Sequence, residues 1–122
     1  MVGAVGPAWL NKAVTVAQAY KATTRAAQGA GHCVYVVLLH DRRRLEPWGL
    51  YVGQTSRDPD QRFDQHKSGY KASGAVRRFG VRLLPVVVEH LNPMRAWESI
   101  ELEAALAEAF TAAGIAWVEG GH

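Results

Sequence analysis

Apolar and polar positions divide the chain into helices and strands of ordinary length. From Pro7 to about Ala27, apolar side chains recur at three- and four-residue steps, which predicts a helix that ends at the glycines of 29–31. The run Cys33–Leu39 is continuously apolar and rich in β-branched residues, which predicts a buried strand. A polar, basic loop then leads to a second strand near Trp48–Gln54, so we expect an antiparallel hairpin.

The rest of the chain is marked by capping residues and glycines. Asp58 before Pro59 is typical of a helix start, and Gly69 and Gly80 are typical of helix ends. Pro85 lies inside a valine-rich run and implies an edge strand or a bulge. The predicted elements are a helix at Pro59–Lys67, a short helix from Ser73 to Phe79, a strand at Arg82–Glu89, a long helix from Asn92-Pro93 to Gly114 and a further short strand at Ile115–Val118.

These elements predict an α/β fold with a small, mainly antiparallel three-stranded sheet flanked by helices. A length of 122 residues suffices for one hydrophobic core. No linker or repeat divides residues 32–122, which we interpret as one domain. Residues 1–31 are interpreted as an N-terminal helical extension that packs on the sheet or mediates dimerisation, so both a monomer and a homodimer are compatible with the sequence.

The composition is that of a globular protein, with 48% apolar and 20% charged residues, and excludes a disordered chain. No apolar run approaches the ~18 residues that a membrane span needs, so no membrane association is expected. The single cysteine excludes an intrachain disulfide. The expected compartment is therefore the reducing cytoplasm.

The net charge of +3 is unevenly distributed along the chain. Residues 41–82 contain ten Lys or Arg and five Asp or Glu, whereas residues 83–122 contain one base and six acids. Clustered Lys and Arg attract the phosphate backbone of nucleic acids regardless of sequence. A solvated protein surface explains such charge equally well, so the charge matters only if candidate chemistry lies in the same block.

A carboxylate on the long helix has an unusual position. Glu98, Glu101 and Glu108 fall on the side of the helix that should be solvated, but Glu103 falls beside the apolar stripe that contains Leu106. A carboxylate at the margin of a core needs a cation or hydrogen bonds. It could hold a metal ion, or it could form a structural ion pair with an arginine from another element.

Arg62 and His66 are four residues apart and should project from one face of their helix. An arginine donates two parallel hydrogen bonds to a phosphate, and a histidine can exchange a proton near pH 7. The alternative is that Arg62 pairs with Asp58 one turn away and that His66 is simply exposed.

Two tyrosines, Tyr35 and Tyr51, lie on the neighbouring strands of the hairpin. A tyrosine in a strand usually serves packing. Gly53 follows Tyr51 by two residues and allows a backbone or a ligand to approach closely.

Taken together, these residues resemble the GIY-YIG nuclease family from about Cys33 to the end of the chain. Cys33-Val34-Tyr35 stands in place of the first triplet and Tyr51-Val52-Gly53 in place of the second, followed in order by Arg62, His66 and Glu103. Three departures occur. Cys33 replaces a glycine, the hairpin loop is longer than in many members, and an asparagine that several members carry after the acidic helix has no counterpart in Gly114-Ile115-Ala116-Trp117.

The resemblance implies hydrolysis of a DNA phosphodiester that depends on Mg²⁺, for which Mn²⁺ could substitute. Glu103 would be the protein's metal ligand and Arg62 would stabilise the scissile phosphate, while Tyr35, Tyr51 and His66 would orient or deprotonate the attacking water. Which of these three is the base stays open. The residues expected to contact the DNA are Gly53, Gln54, Lys67, Lys71, Arg77 and Arg78, with the loop Arg42–Arg44 as the next place to look.

Two other interpretations are compatible with the sequence. A catalytically inactive nucleic-acid-binding module could have the same fold, and the missing asparagine keeps that possibility open. A protein-interaction domain that uses the N-terminal helix would have no affinity for DNA. The histidines His32, His40, His90 and His122 have no spacing typical of a zinc site.

Overall fold

The computed structural model describes residues 6–21 and 31–121. In chain order these residues form α1 (Leu10–Gln18), β1 (Cys33–His40), β2 (Trp48–Thr55), α2 (Pro59–Ser68), α3 (Gly74–Phe79), β3 (Gly80–Leu83), α4 (Pro85–Val88), a 3-10 turn (Glu89–Leu91), α5 (Ala96–Ala112) and β4 (Val118–Gly120). None of the helices in these ranges has the length and apolar character that crossing a membrane requires.

The α/β fold is confirmed, but the sheet in the described residues has four strands instead of the three predicted. Its strand order is β3-β1-β2-β4. Strands β1 and β2 form the expected antiparallel hairpin, and β3 is antiparallel to β1. The additional strand, β4, runs parallel to β2, so the sheet is mixed. It covers Val118–Gly120 and not the predicted Ile115–Val118, and the buried residues Ile115 and Trp117 precede it.

The predicted strand Arg82–Glu89 is wrong in its second half. The strand begins at Gly80, two residues earlier than predicted, and ends at Leu83. Pro85 is the first residue of α4 and not a bulge in an edge strand. Proline has a backbone angle suited to the first turn of a helix, where its missing N–H is not needed. The valines that followed it suggested a strand, but Val87 and Val88 are buried as residues of this short helix.

Side chains of β1 alternate between two separate apolar clusters, one on each face of the sheet. Val34, Val36 and Leu38 point to the α5 face, where α1, α4 and α5 build the larger cluster. Tyr35, Val37 and Leu39 point to the α2–α3 face, where the cluster is smaller. All residues from Val34 to Leu39 are buried, which confirms the predicted buried strand.

The N-terminal helix is shorter than predicted and belongs to the larger cluster. It ends at Gln18, and residues 22–27 of the predicted helix lie outside the described residues. Ala13 and Ala17 are completely buried and join the apolar cluster of the α5 face. A ring nitrogen of His90 lies 3.0 Å from the carbonyl oxygen of Ala17, which ties the end of α1 to the 3-10 turn.

The long helix α5 begins at Ala96, later than the predicted start at Asn92. Asn92 instead binds the backbone of Val34 at the start of β1. Its Oδ1 accepts from the Val34 N–H at 2.9 Å, and its Nδ2 donates to the Val34 carbonyl at 2.8 Å. The side chain therefore satisfies strand backbone on the edge of β1 that faces away from β2, since β3 pairs with that edge only at Val37–Leu39.

Candidate active site

Tyr35 and Tyr51 lie side by side on the α2–α3 face, with ring centroids 6.1 Å apart. Tyr35 is paired in register with Gly53 of β2. A Cβ atom at position 53 would lie 2.5 Å from Cζ of Tyr35, so any other residue would displace the ring. The glycine therefore allows the tyrosine ring to lie across the neighbouring strand, and the two sequence triplets form one structural unit.

Helix α2 brings His66 to the tyrosines. The Asp58 side chain caps the helix by accepting from the Asp60 N–H at 2.8 Å, and Gly69 ends it with a left-handed φ of 94°. His66 is 1% exposed, so the alternative of an exposed histidine is wrong. Its Nε2 lies 2.8 Å from the Tyr35 hydroxyl.

The backbone determines which nitrogen of His66 carries the proton. The N–H of Ser73 donates to Nδ1 at 2.9 Å, so Nδ1 is an acceptor and carries no hydrogen. The pKa of His66 is lowered to about 4, mainly by burial and to a smaller extent by the charge of Arg62. The ring is therefore neutral near pH 7. A neutral imidazole has one proton, which must be on Nε2. His66 therefore donates a hydrogen bond to the Tyr35 hydroxyl.

The Tyr35 hydroxyl in turn interacts with that of Tyr51. Burial raises the pKa of both tyrosines. The two hydroxyls are within hydrogen-bond reach of each other, and because the Tyr35 oxygen accepts from His66, its own proton is available to Tyr51. A directed chain of hydrogen bonds thus runs from the Ser73 backbone through His66 and Tyr35 to Tyr51.

Glu103 approaches this chain from the other side of the sheet, on α5. Burial is the main cause of the raised pKa of Tyr51, and the charge of Glu103 is the second. The same charge contributes less to the raised pKa of Tyr35. Glu103 is 5% exposed, in agreement with its predicted position at the margin of the core. The charge of Glu103 therefore acts more strongly on Tyr51 than on Tyr35.

The prediction for Glu98 is wrong. We expected it on the solvated face with Glu101 and Glu108, but it is 5% exposed, whereas the other two are exposed. Glu98 lies in the first turn of α5, where free backbone N–H groups favour a carboxylate. The pattern of apolar residues contains no information about this end effect.

Arg62 does not form the predicted alternative pair with Asp58, which is used as the helix cap. Its guanidinium donates to the side chain of Gln65 at 3.2 Å and to the carbonyls of Tyr70 and Lys71 at 3.3 and 2.8 Å. It thereby holds the turn after α2, in which Lys71 has a left-handed φ of 44°. Its charge lowers the pKa of both tyrosines and of His66, so it lies close to all three rings.

The residues at this site fit a magnesium ion better than a metal that requires many protein ligands. In the part of the chain that the structure describes, no group of three or more His, Cys, Asp and Glu residues could hold a metal. Mg²⁺ commonly binds one or two carboxylates and completes its shell with water and phosphate oxygens. A single buried carboxylate beside two hydroxyl groups matches that preference, so Glu103 could hold the ion.

The residues predicted to contact nucleic acid occupy different places. Gln54 and Lys71 line a polar pocket of about 320 Å³ together with Arg62. The Lys67 ammonium instead donates to the carbonyls of Arg77 and Gly80, at 3.3 and 3.0 Å, and so caps the end of α3. Of the remaining three, Gly53 lies against the Tyr35 ring, whereas the side chains of Arg77 and Arg78 are exposed, and Arg78 lines a second groove with Arg42 and Arg43.

Ser73 is the residue of the site that sequence analysis did not identify. The sequence predicted it as a helix cap, and its Oγ does accept from the Val76 N–H, at 3.5 Å. Its backbone N–H also fixes the proton of His66. No side-chain pattern could have revealed this role, because a backbone group performs it.

A comparison with protein-family models gives a match to the GIY-YIG catalytic domain over residues 31–115. The matched range is more than half of the chain and includes Tyr35, Tyr51, Arg62, His66 and Glu103. Comparisons with curated proteins and with solved structures give no match. The resemblance drawn from the two tyrosine triplets is therefore confirmed at the level of the family.

Proposed function

Because the chain belongs to the GIY-YIG family of nuclease domains, we propose that it hydrolyses DNA phosphodiester bonds with the help of a divalent cation, Mg²⁺ or Mn²⁺, held by Glu103. The observation that supports this proposal most strongly is the directed hydrogen-bond chain from Ser73 to Tyr51, which ends beside a buried carboxylate. Burying two hydroxyls, an imidazole and a carboxylate together is costly for a purely structural site.

The hydrogen bonds favour Tyr51 over His66 as the group that contacts the attacking water. The Nδ1 atom of His66 is occupied by the Ser73 N–H, and its Nε2 carries the proton given to Tyr35. His66 therefore has no free lone pair to accept a proton, and we assign it the role of orienting Tyr35. Tyr35 can then donate to Tyr51, whose pKa is raised by burial and by the charge of Glu103.

Both tyrosines are protonated at neutral pH, because burial and the Glu103 charge raise the pKa of each. A cation bound to Glu103 would compensate the charge that disfavours ionisation of Tyr51. When bound, the cation would also stabilise the negative charge that develops on the phosphate. Arg62 would bind the scissile phosphate, and its charge also favours ionisation of both tyrosines.

The direct test is incubation of the purified protein with plasmid, single-stranded and branched DNA in the presence of Mg²⁺, Mn²⁺ or EDTA. We expect cleavage of at least one of these substrates with either cation and none with EDTA. Binding without cleavage under every condition would favour the catalytically inactive module. Equal cleavage in EDTA would contradict the role of the metal.

A further inference from the structure

The loop between β1 and β2 is a fixed turn and not a flexible connection. Asp41 holds it at several atoms: its Oδ1 accepts from the Arg43 N–H at 3.0 Å, its N–H donates to the Pro47 carbonyl at 2.8 Å, and its Oδ2 lies 3.6 Å from Nε of Arg44. The guanidinium of Arg44 also lies 3.7 Å from the centre of the Trp117 ring. Arg44 is therefore folded back against the protein and anchors the turn.

The three consecutive arginines of this loop therefore have different roles. All three side chains are exposed, but Arg44 packs on the tryptophan, whereas Arg42 and Arg43 line a groove. They line an open groove of about 410 Å³ with His40, Asp41, Arg78 and Phe79. The acid in this groove, Asp41, is already engaged by Arg44 and by the loop backbone. The groove thus combines arginines from two elements, the hairpin loop and the end of α3.

The groove lies at the far end of β1 from Tyr35, and part of it, at Phe79, is on the face of the sheet that carries Tyr35. Phe79 and Trp117 pack edge to face and belong to the cluster that contains Tyr35. His40, at the groove, is five residues beyond Tyr35 on the same strand, which corresponds to about 17 Å at about 3.3 Å per residue. Duplex DNA rises about 3.4 Å per base pair, so this distance spans about five base pairs.

We propose that Arg42, Arg43 and Arg78 form a second backbone-binding site, which holds phosphates of the nucleic acid about half a helical turn from the bond that is cut. This inference rests on the proposed function, since it assumes a nucleic-acid substrate at Tyr35 and Tyr51. The neighbouring Leu45 is completely exposed at the same loop. An apolar side chain beside arginines suits the sugars and base edges of a polymer better than a small free anion.

Because the contact is remote from the scissile phosphate, it should contribute equally to binding of the substrate and of the transition state. Its loss should therefore raise KM and leave kcat unchanged. Each phosphate contact also contributes about 0.9 to the slope of log Kobs against log salt concentration. Removing two arginines should lower the magnitude of that slope by about two.

The test measures binding of a labelled 24-base-pair duplex in EDTA over a range of salt concentrations, and cleavage of the same duplex with Mg²⁺. Arg42→Ala/Arg43→Ala is compared with Lys12→Ala/Lys21→Ala, which removes the same charge from α1 and the residues after it, on the other side of the sheet. In Arg42→Ala/Arg43→Ala, the magnitude of the slope should fall by about two, and KM should rise while kcat stays unchanged. Lys12→Ala/Lys21→Ala should match the wild type in all three quantities. Arg42→Lys/Arg43→Lys, which keeps the charge, should retain most of the slope.

An unchanged salt slope in Arg42→Ala/Arg43→Ala would overturn the second site. An equal fall of the slope in the control Lys12→Ala/Lys21→Ala would overturn it as well. If the wild type cleaves the duplex and the slope of Arg42→Ala/Arg43→Ala equals that of the wild type, the proposed function stands and the second site fails. If the wild type binds without cleavage and the slope falls by two, the second site stands as a binding surface and the proposed function fails. Inorganic phosphate that displaces the duplex at millimolar concentration would indicate a small-anion site and contradict the proposal.

Discussion

The two faces of the sheet are built from the same strands but are stabilised in different ways. On the α5 face, Val34, Val36 and Leu38 meet three helices in the larger of the two apolar clusters. On the α2–α3 face, two tyrosines and a buried histidine interrupt a smaller cluster. The first arrangement obtains its stability from burial of apolar surface, whereas the second depends on hydrogen bonds that must all be formed at once. Substitutions on the two faces should therefore have opposite consequences.

The largest effect on stability is expected on the α5 face. Phe110 is completely buried, so Phe110→Ala should lower the free energy of unfolding by about 3–5 kcal/mol. Cleavage per folded molecule should be unchanged, because Phe110 does not contact the tyrosines or His66. Urea denaturation and cleavage by the folded fraction measure both quantities. Ile100→Ala, at an exposed position of the same helix, is the control and should change stability by about 0.5 kcal/mol or less.

On the α2–α3 side, substitution of Arg62 should mainly affect the reaction. Removal of one positioned donor from a scissile phosphate typically reduces the rate on the order of 10²–10³-fold, and lysine cannot replace the planar guanidinium. We expect both Arg62→Ala and Arg62→Lys to lose cleavage to this extent. The hydrogen bonds of Arg62 to the turn after α2 also predict a loss of about 1–2 kcal/mol of stability in the alanine variant.

The matched control for this experiment is Gln65→Ala, which removes one hydrogen-bond acceptor of Arg62 but leaves the guanidinium in place. It should cut DNA within about tenfold of the wild-type rate, the loss expected from one hydrogen bond of about 1 kcal/mol. Cleavage at the wild-type rate by both Arg62 variants would make Arg62 a structural residue. The assignment of the site would then fail at its most specific position.

The buried histidine makes stability on the α2–α3 face sensitive to acid. His66 has a pKa of about 4 in the folded protein against about 6.5 when unfolded, so the unfolded chain binds more protons between these values. The contribution of His66 to the stability of the fold is therefore complete above pH 6.5 and is lost as the pH falls toward 4. The loss should be on the order of 3 kcal/mol. Denaturation of the metal-free protein at several pH values, compared with His66→Gln, isolates this contribution, and equal pH dependence in both proteins would contradict the assignment.

The sequence predicted the elements that carry local signals. The caps at Asp58 and Ser73 and the glycines after α2 and α3 are local features, and these helices appear within one residue of their predicted bounds. The hairpin was predictable because its strands are long and apolar. The last strand was predicted three residues too early, at Ile115–Val118, since three residues that include Gly120 carry no alternating pattern. Pro85 was misinterpreted because valines favour strands as strongly as the proline favours a helix start.

The candidate site was predictable in its side chains but not in its connections. The spacing of Arg62 and His66 placed both on one helix face, and the position of Glu103 marked it as unusual. The direction of the hydrogen bonds follows from the Ser73 backbone, which comes near His66 only because the turn after α2 folds back. The burial of Glu98 is likewise a property of the end of α5 and not of its apolar stripe.

The central claim is that Glu103 holds the metal ion beside Tyr51, and Glu103→Gln tests it most directly. Glutamine keeps the shape of the side chain but removes the charge that binds the cation. With Mg²⁺, we expect Glu103→Gln to lose cleavage while its DNA affinity and melting temperature stay near those of the wild type, and Glu101→Gln on the exposed side of α5 to behave as the wild type does. Full metal-dependent cleavage by Glu103→Gln would contradict the account.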